Sequence, residues 1–145
     1  MPEIPVHLVE IGRSFEQTYK PVLAFEGWRV AMLRHFDIVD AAGLRRVERH
    51  RNTNEVFILT TGEADLVLFD GGDRPTDPYI ISMETNVAYN VRRSVWHHVV
   101  MSQESHIILL EHDDTSVETS DYAELDIPTL SAIKAALRVA AKRES

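Results

Sequence analysis

Two stretches of the chain decide the fold: Glu48-Arg-His-Arg-Asn-Thr-Asn-Glu55, which continues into Val-Phe-Ile-Leu-Thr-Thr-Gly62, and Asn86-Val-Ala-Tyr-Asn-Val-Arg-Arg-Ser-Val-Trp-His97-His98. Each stretch places imidazole or carboxylate groups beside a run of apolar and β-branched residues, which is typical of a β-strand. Groups on two distant strands can meet only if both strands line one cavity, and a small barrel would bring them together. The sequence therefore predicts a pocket and leaves its ligand open.

The composition limits the classes of function. The 145 residues suffice for a single domain over residues 1–145, with 44% hydrophobic and 26% charged residues. A formal charge of −8 would repel phosphate backbones, so we expect no nucleic-acid partner. The absence of cysteine excludes disulfides, iron–sulfur clusters and thiolate zinc sites. No apolar run is long enough to cross a bilayer and no signal peptide is evident, so we expect a cytoplasmic protein without membrane contact.

Short strands separated by turn signals dominate the middle of the chain. Strands are predicted over residues 28–38, 44–50, 55–60, 64–69, 79–83, 87–91, 95–101 and 105–112. Eight short strands at this spacing favour an all-β barrel or sandwich over residues 28–112. Residues 1–27 are predicted to be irregular, with room for one added strand at 6–11.

The C-terminal region changes to a helical pattern, predicted over residues 126–143. Leu130, Ile133, Leu137 and Ala140 fall on one helical face, which we expect to pack against the barrel or a partner subunit. Asp126 or Thr129 can cap the start of this helix. We interpret its basic residues as a solvated face, because the chain as a whole is acidic.

The two stretches resemble the paired motifs of the cupin superfamily, a group of small β-barrel proteins. The resemblance covers residues 28–112 of this chain. The first cupin motif has His-x-His before a Glu, which is followed by six residues and a Gly. In this chain six residues separate Glu55 from Gly62, and His50 precedes Glu55. Glu48 stands at the position of the first motif His.

The second cupin motif, Gly-x5-Pro-x-Gly-x2-His, aligns with Asn86, Arg92, Ser94 and His97. The His is kept, and the two Gly and the Pro are replaced. The resemblance implies an all-β cupin-type (double-stranded β-helix) barrel with a C-terminal α-helix. It also implies a homodimer, since cupin strands often exchange between subunits.

Metal-binding cupins hold a divalent cation through the two His and the Glu of the first motif and the His of the second. The resemblance places these roles on His50, Glu55 and His97, with Glu48 as a fourth ligand or as the catalytic general base. Such a donor set suits Fe, Mn, Ni or Zn and leaves positions open for a substrate. A metal-free hydrogen-bond network of the same residues is the structural alternative.

The resulting functional hypothesis is a barrel that binds a small polar molecule, a carboxylate or sugar acid, with metal-assisted lyase, isomerase or oxygenase chemistry. One alternative is a metal-free ligand-binding or regulatory barrel without turnover. Another comes from Glu48-Arg-His50 and Trp96-His97-His98, which are similar to signatures of the ureidoglycolate lyases, cupin-like enzymes of purine breakdown.

Further residues are weaker candidates for the pocket. Glu111 faces inward in only one register of its strand, and an arginine near the mouth would suit a carboxylate ligand. On a strand, His97 and His98 point to opposite faces, so His98 is expected outside the lumen and Trp96 in packing. The other candidates are Tyr89 and Arg92 at the second motif, and Arg34 on a strand expected to border the same cavity.

Overall fold

A computed structural model of the chain describes residues 1–140. These residues form ten strands and one α-helix. The elements are β1 (Tyr19–Phe25), β2 (Trp28–Arg34), β3 (Arg46–His50), β4 (Glu55–Thr61), β5 (Ala64–Phe69), β6 (Pro78–Ser82), β7 (Ala88–Val91), β8 (Trp96–Met101), β9 (His106–His112), β10 (Ser120–Glu124) and α1 (Ile127–Ala136). Two short 3-10 turns, Asp37–Val39 and Ala41–Gly43, join β2 to β3.

The strands form two five-stranded sheets, in the orders β1-β2-β9-β4-β7 and β10-β3-β8-β5-β6. All pairings are antiparallel. Strands that are far apart in sequence are therefore neighbours, and each polar stretch contributes a strand to both sheets, the first through β3 and β4 and the second through β8 and β7.

All eight predicted strands are present within a few residues of their predicted bounds, so the all-β prediction is confirmed. The prediction of an irregular segment over residues 1–27 is wrong for Tyr19–Phe25, which pairs with β2. The added strand at 6–11 is also wrong, because no strand forms among residues 1–18. The strands extend beyond residue 112 as well, since Ser120–Glu124 pairs with β3.

Residues with positive φ occupy the positions where the cupin motifs have glycine. Gly62 has φ +83°, and a Cβ built there would lie 2.5 Å from Ser105 Oγ, so this hairpin requires glycine. Asn86 (φ 64°) and Ser94 (φ 66°) adopt the same left-handed region although they carry side chains. The backbone of the second motif is thus kept while its glycines are replaced.

Two apolar clusters stabilise the fold. The first lies between the sheets and includes buried residues from both, such as Leu33, Phe57, Leu66, Val99 and Leu109. The second covers the outer face of the β3–β8–β5 sheet. It contains Val47, Val67, Phe69, Trp96, Val100, Ile133 and Val139, together with Ala41 and Leu44.

The C-terminal helix is shorter than the predicted 126–143. The Asp126 carboxylate accepts a hydrogen bond from the Thr129 amide at 2.8 Å, so the helix begins as predicted. It ends at Ala136, because the Val139 amide instead donates to the buried Asp65 carboxylate at 2.8 Å. Leu137 and Ala140 consequently lie beyond the helix, and residues 141–143 of the predicted helix lie outside the described residues.

Ile133 of this helix is 1% exposed against the barrel, as its apolar pattern predicts. Within residues 1–140, the helix falls well short of the length and hydrophobicity that crossing a membrane would require.

Candidate metal centre

Two strands of one sheet and one strand of the other position four polar side chains in the space between them. Glu48 and His50 alternate on the same face of β3. His97 is paired with Glu48 across the β3–β8 ladder, and Glu55 begins β4 in the facing sheet. His50, Glu55 and His97 are buried, and the Glu48 side chain is 36% exposed.

The ligand atoms of these four residues all lie within 4.8 Å of one another. The Glu55 carboxylate is central: its Oε1 is 3.1 Å from His97 Nε2 and 3.6 Å from His50 Nε2. Glu48 Oε1 lies 3.8 Å from His50 Nε2 and 4.0 Å from His97 Nε2. The sequence prediction that His50, Glu55 and His97 converge in one lumen is therefore confirmed.

The outer nitrogen of each imidazole is already engaged. His97 Nδ1 donates to the Val95 carbonyl at 2.9 Å, and His50 Nδ1 is hydrogen-bonded to the Ser120 hydroxyl at 2.8 Å. Both Nε2 atoms therefore point into the cluster. Such bonds to the outer nitrogen orient histidines that bind metals.

His50 Nε2 is buried and has no hydrogen-bond partner among residues 1–140, since the nearest Glu55 oxygen is 3.6 Å away. Buried polar atoms without a partner are rare and destabilising. In the neutral His97 ring the proton is on Nδ1, so Nε2 would direct a lone pair at the Glu55 carboxylate. The cluster is thus complete only with a positive charge at its centre, supplied by a proton or by a metal cation.

The electrostatics agree with this conclusion. Burial alone would lower the pKa of His97, but attraction from Glu55 outweighs it and raises the pKa. Burial opposes ionisation of Glu55, yet the imidazoles of His50 and His97 hold the pKa of its carboxyl well below the usual range. Two imidazoles with carboxylates are a donor set for a first-row divalent cation, and the residues present fit such an ion.

The cavity contains a second group of interacting polar residues, Glu111, Tyr19 and Arg29, which the sequence did not predict to lie together. Glu111 on β9 lies directly opposite Glu55, so the strand has the register in which the Glu111 side chain points into the cavity. Its Oε1 accepts hydrogen bonds from the Tyr19 hydroxyl and from Arg29, whose Nη2 is 3.0 Å away. Burial, reinforced by nearby Glu55, raises the pKa of Glu111 to about 8.

The arginine that lines the cavity from β2 is Arg29 and not the predicted Arg34. Arg34 donates to the Ser14 carbonyl at 3.0 Å and contacts His106, away from the cluster. Arg92 is exposed and does not line the cavity, and Tyr89 accepts a hydrogen bond from the Glu84 amide.

Trp96 serves in packing, as the strand alternation predicts, whereas His98, which was expected outside the lumen, is among the residues that line the cavity. Trp96 is 2% exposed in the outer apolar cluster, and its indole N–H donates to the Gly72 carbonyl at 2.9 Å. His98 Nε2 is 3.0 Å from the Ile38 carbonyl and is not part of the four-residue cluster. Burial lowers the pKa of His98 to about 4, so this imidazole is neutral near pH 7.

The cluster opens into a cavity of about 410 Å³, which is in the range of small-molecule sites. Its walls are largely apolar, and its rim carries the exposed side chains of Ile38, Val117 and Tyr122. The cavity can therefore hold a small molecule with a polar group at the cluster and an apolar body.

No protein-family model and no curated protein matches the chain. Solved structures do. A cupin-2 domain containing protein from Shewanella frigidimarina is 18% identical, with 66% of this chain and 82% of that chain covered and a TM-score of 0.46. A variant of the Streptomyces protein PAC13 with uridine is 8% identical, with coverages of 79% and 85% and a TM-score of 0.53.

A 3,4-ketoisomerase from Helicobacter canadensis is 15% identical, covers 74% of each chain and has a TM-score of 0.52. The narrower resemblance to ureidoglycolate lyases is not shown by these comparisons. Likeness at such low identity shows the fold alone. On that ground, and as the motif spacing predicts, this chain has the cupin-type barrel fold with a C-terminal helix.

Proposed function

We propose that the protein binds a divalent transition metal at His50, Glu55 and His97, with Glu48 beside them as the general base or a fourth ligand, and that it acts there on a small polar molecule of the carboxylate or sugar-acid class. The observation that carries this proposal is the buried Nε2 of His50, which has no hydrogen-bond partner in the described part of the chain and faces the same carboxylate as His97 Nε2. A cation would accept both nitrogen lone pairs and neutralise the carboxylates.

A cation held there would act as a Lewis acid on a carbonyl or hydroxyl oxygen of the ligand. His50, His97 and Glu55 would hold it, because they are buried and fixed by neighbouring strands. Glu48 is partly exposed and makes no hydrogen bond to a residue between 1 and 140, so its Oε1 is free to remove or return a proton of the ligand. This division of roles, with three residues on the metal and Glu48 as the proton-transfer group, supports isomerase or lyase chemistry.

Two structural neighbours are compatible with this class of function. One is named for 3,4-ketoisomerase activity, and another was solved with uridine, which is a small polar molecule. We further propose that the protein works as a homodimer in the cytoplasm. The exposed apolar side chains of the N-terminal segment, among them Val6, Leu8 and Phe15, support a subunit contact.

Metal titration by calorimetry tests the proposal. Protein purified without a His tag and stripped with a chelator should bind close to one Mn(II), Fe(II), Ni(II) or Zn(II) per chain. His97→Ala should weaken metal binding by more than about a hundredfold. Losing a residue that only supports a ligand costs about 10–100-fold in metal affinity, and losing the ligand itself should cost more. His98→Ala is the matched control and should bind metal as the parent does.

The second candidate function is a metal-free binding or regulatory barrel. It is favoured by the direct contact of His97 Nε2 with Glu55 Oε1 at 3.1 Å, which a protonated imidazole would satisfy without any ion. A protein that takes up none of the four metals would rule out the metal proposal and leave this alternative.

A further inference from the structure

A cationic side chain that forms no ion pair within residues 1–140, Arg46, lies at the rim of the cavity. Arg46, Glu48 and His50 alternate along β3 and therefore share the face that lines the cavity. The Arg46 guanidinium lies 4.4 Å from the centre of the Tyr122 ring, which projects from the neighbouring strand β10. Stacking of this kind orients a guanidinium without using its N–H donors.

The other guanidinium of the cavity is already committed. Arg29 donates to Glu111 Oε1 and to the carbonyl oxygens of Asp113 and Thr115. Arg46, in contrast, makes no ion pair with any residue of the part of the chain that the structure describes. Its donors are therefore available to a ligand.

The chemistry of this arrangement selects one type of ligand group. A planar guanidinium binds a carboxylate through two parallel hydrogen bonds. One guanidinium balances one negative charge, and the nearby Glu48 would repel a more highly charged group such as a phosphate dianion. Arg46 and His50 are four residues apart on the strand, roughly 13 Å between Cα atoms, so one compact anion does not reach both.

We infer that Arg46, stacked on Tyr122, recognises the carboxylate of an organic acid whose body lies against the apolar walls and whose polar end reaches the four-residue cluster. The walls available to that body include Leu33, Phe57, Val99 and Leu109. This inference narrows the ligand class of the proposed function and rests on it for the polar end.

A matched pair of probes tests the inference: 3-phenylpropionate and its neutral analogue 3-phenylpropanamide, titrated into metal-loaded and into metal-stripped protein by calorimetry or ligand-observed NMR. The parent protein should bind the acid at least about tenfold more tightly than the amide, as expected for a charge-assisted pair. Arg46→Met should abolish this preference, and Arg46→Lys should keep part of it. Arg45→Met, an exposed neighbour outside the cavity lining, should leave the preference unchanged.

Equal binding of the two probes by the parent, binding of neither, or a preference that survives Arg46→Met would overturn the inference. Metal titration of the same variants separates it from the proposed function. If Arg46→Met keeps its metal and loses the preference, both stand. If the parent takes up no metal but still prefers the acid through Arg46, the metal proposal fails and the recognition of carboxylates stands.

Discussion

Glu55 and Glu111 lie directly opposite each other on the adjacent antiparallel strands β4 and β9, and both side chains are buried in the same cavity. Two ionised carboxylates in such a cross-strand pair would repel each other, and burial together with this repulsion raises the pKa of Glu111. The compensation is divided: the imidazoles neutralise Glu55, and Arg29 with Tyr19 binds Glu111. The register of one strand pair thereby separates a carboxylate of the four-residue cluster from one that Arg29 and Tyr19 bind.

Removing the positive charge of Arg29, which binds Glu111, should destabilise the protein in a pH-dependent way. The pKa of Glu111 is raised to about 8, so below that pH the folded state keeps a proton that the unfolded chain loses above roughly pH 4.5. The contribution of Glu111 to stability therefore falls as the pH rises through this window. Arg29→Met should cost about 3 kcal/mol at pH 9, where the carboxyl is ionised, and clearly less at pH 6.

Urea unfolding of metal-free protein at both pH values measures this difference. The double variant Arg29→Met with Glu111→Gln is the control, and it should lose the pH dependence. An Arg29→Met penalty that is equal at the two pH values would show that Glu111 does not titrate in this range.

Ser94 is expected to be a strained position. Its φ of 66° is costly for a residue with a side chain, and its amide donates to the His50 carbonyl at 2.8 Å, so the turn cannot relax freely. Ser94→Gly should be more stable than Ser94→Ala by about 1 kcal/mol, because both lose the hydroxyl and only alanine keeps the strain. Thermal unfolding compares the two variants, and equal stabilities would contradict the assigned strain.

The C-terminal helix should stabilise the barrel through one face. Ile133 is 1% exposed and Ile127, in the same helix, is 79% exposed. Ile133→Ala should lower the free energy of unfolding by about 2–5 kcal/mol, and Ile127→Ala should change it by less than about 0.5 kcal/mol. If both substitutions had the same small effect in urea unfolding, the helix would not be part of the cooperative core.

Glu48 should determine which metals the site prefers. The carboxylate makes the donor set harder than one with a third imidazole. Glu48→His should therefore tighten Ni(II) and Zn(II) binding relative to Mn(II), and competition titrations give that ratio. An unchanged ratio would indicate that Glu48 is not a ligand, and its role would then be that of a base alone.

The strands that the sequence predicted are those with apolar runs or clear alternation. The two that it missed, β1 and β10, each lie at one edge of their sheet, although the opposite edge strands, β7 and β6, were predicted. Edge strands are half solvated, so they carry polar residues such as those of Ser120–Glu124, and β1 even contains Pro21. Their pairing depends on the partner strand and not on their own hydrophobic pattern.

The candidate site could be predicted where its residues fall on apolar strands at the spacing of the cupin motifs. His50, Glu55 and His97 are of this kind. Tyr19 and Arg29 were missed because their role depends on β1 and β2 pairing beside β9, a contact that local sequence does not encode. The early end of the helix is likewise a tertiary effect, since Asp65 binds the Val139 amide from 74 residues away.

The most direct test of the metal centre is anomalous diffraction from crystals of the tag-free protein grown with Mn(II) or Zn(II). We predict one strong anomalous peak inside the barrel, at about 2.0–2.2 Å from His50 Nε2, His97 Nε2 and a Glu55 oxygen. The pairing of His97 with Glu55 would then be replaced by bonds to the ion. A map with no peak at these atoms, and with His97 still bonded directly to Glu55, would contradict the account.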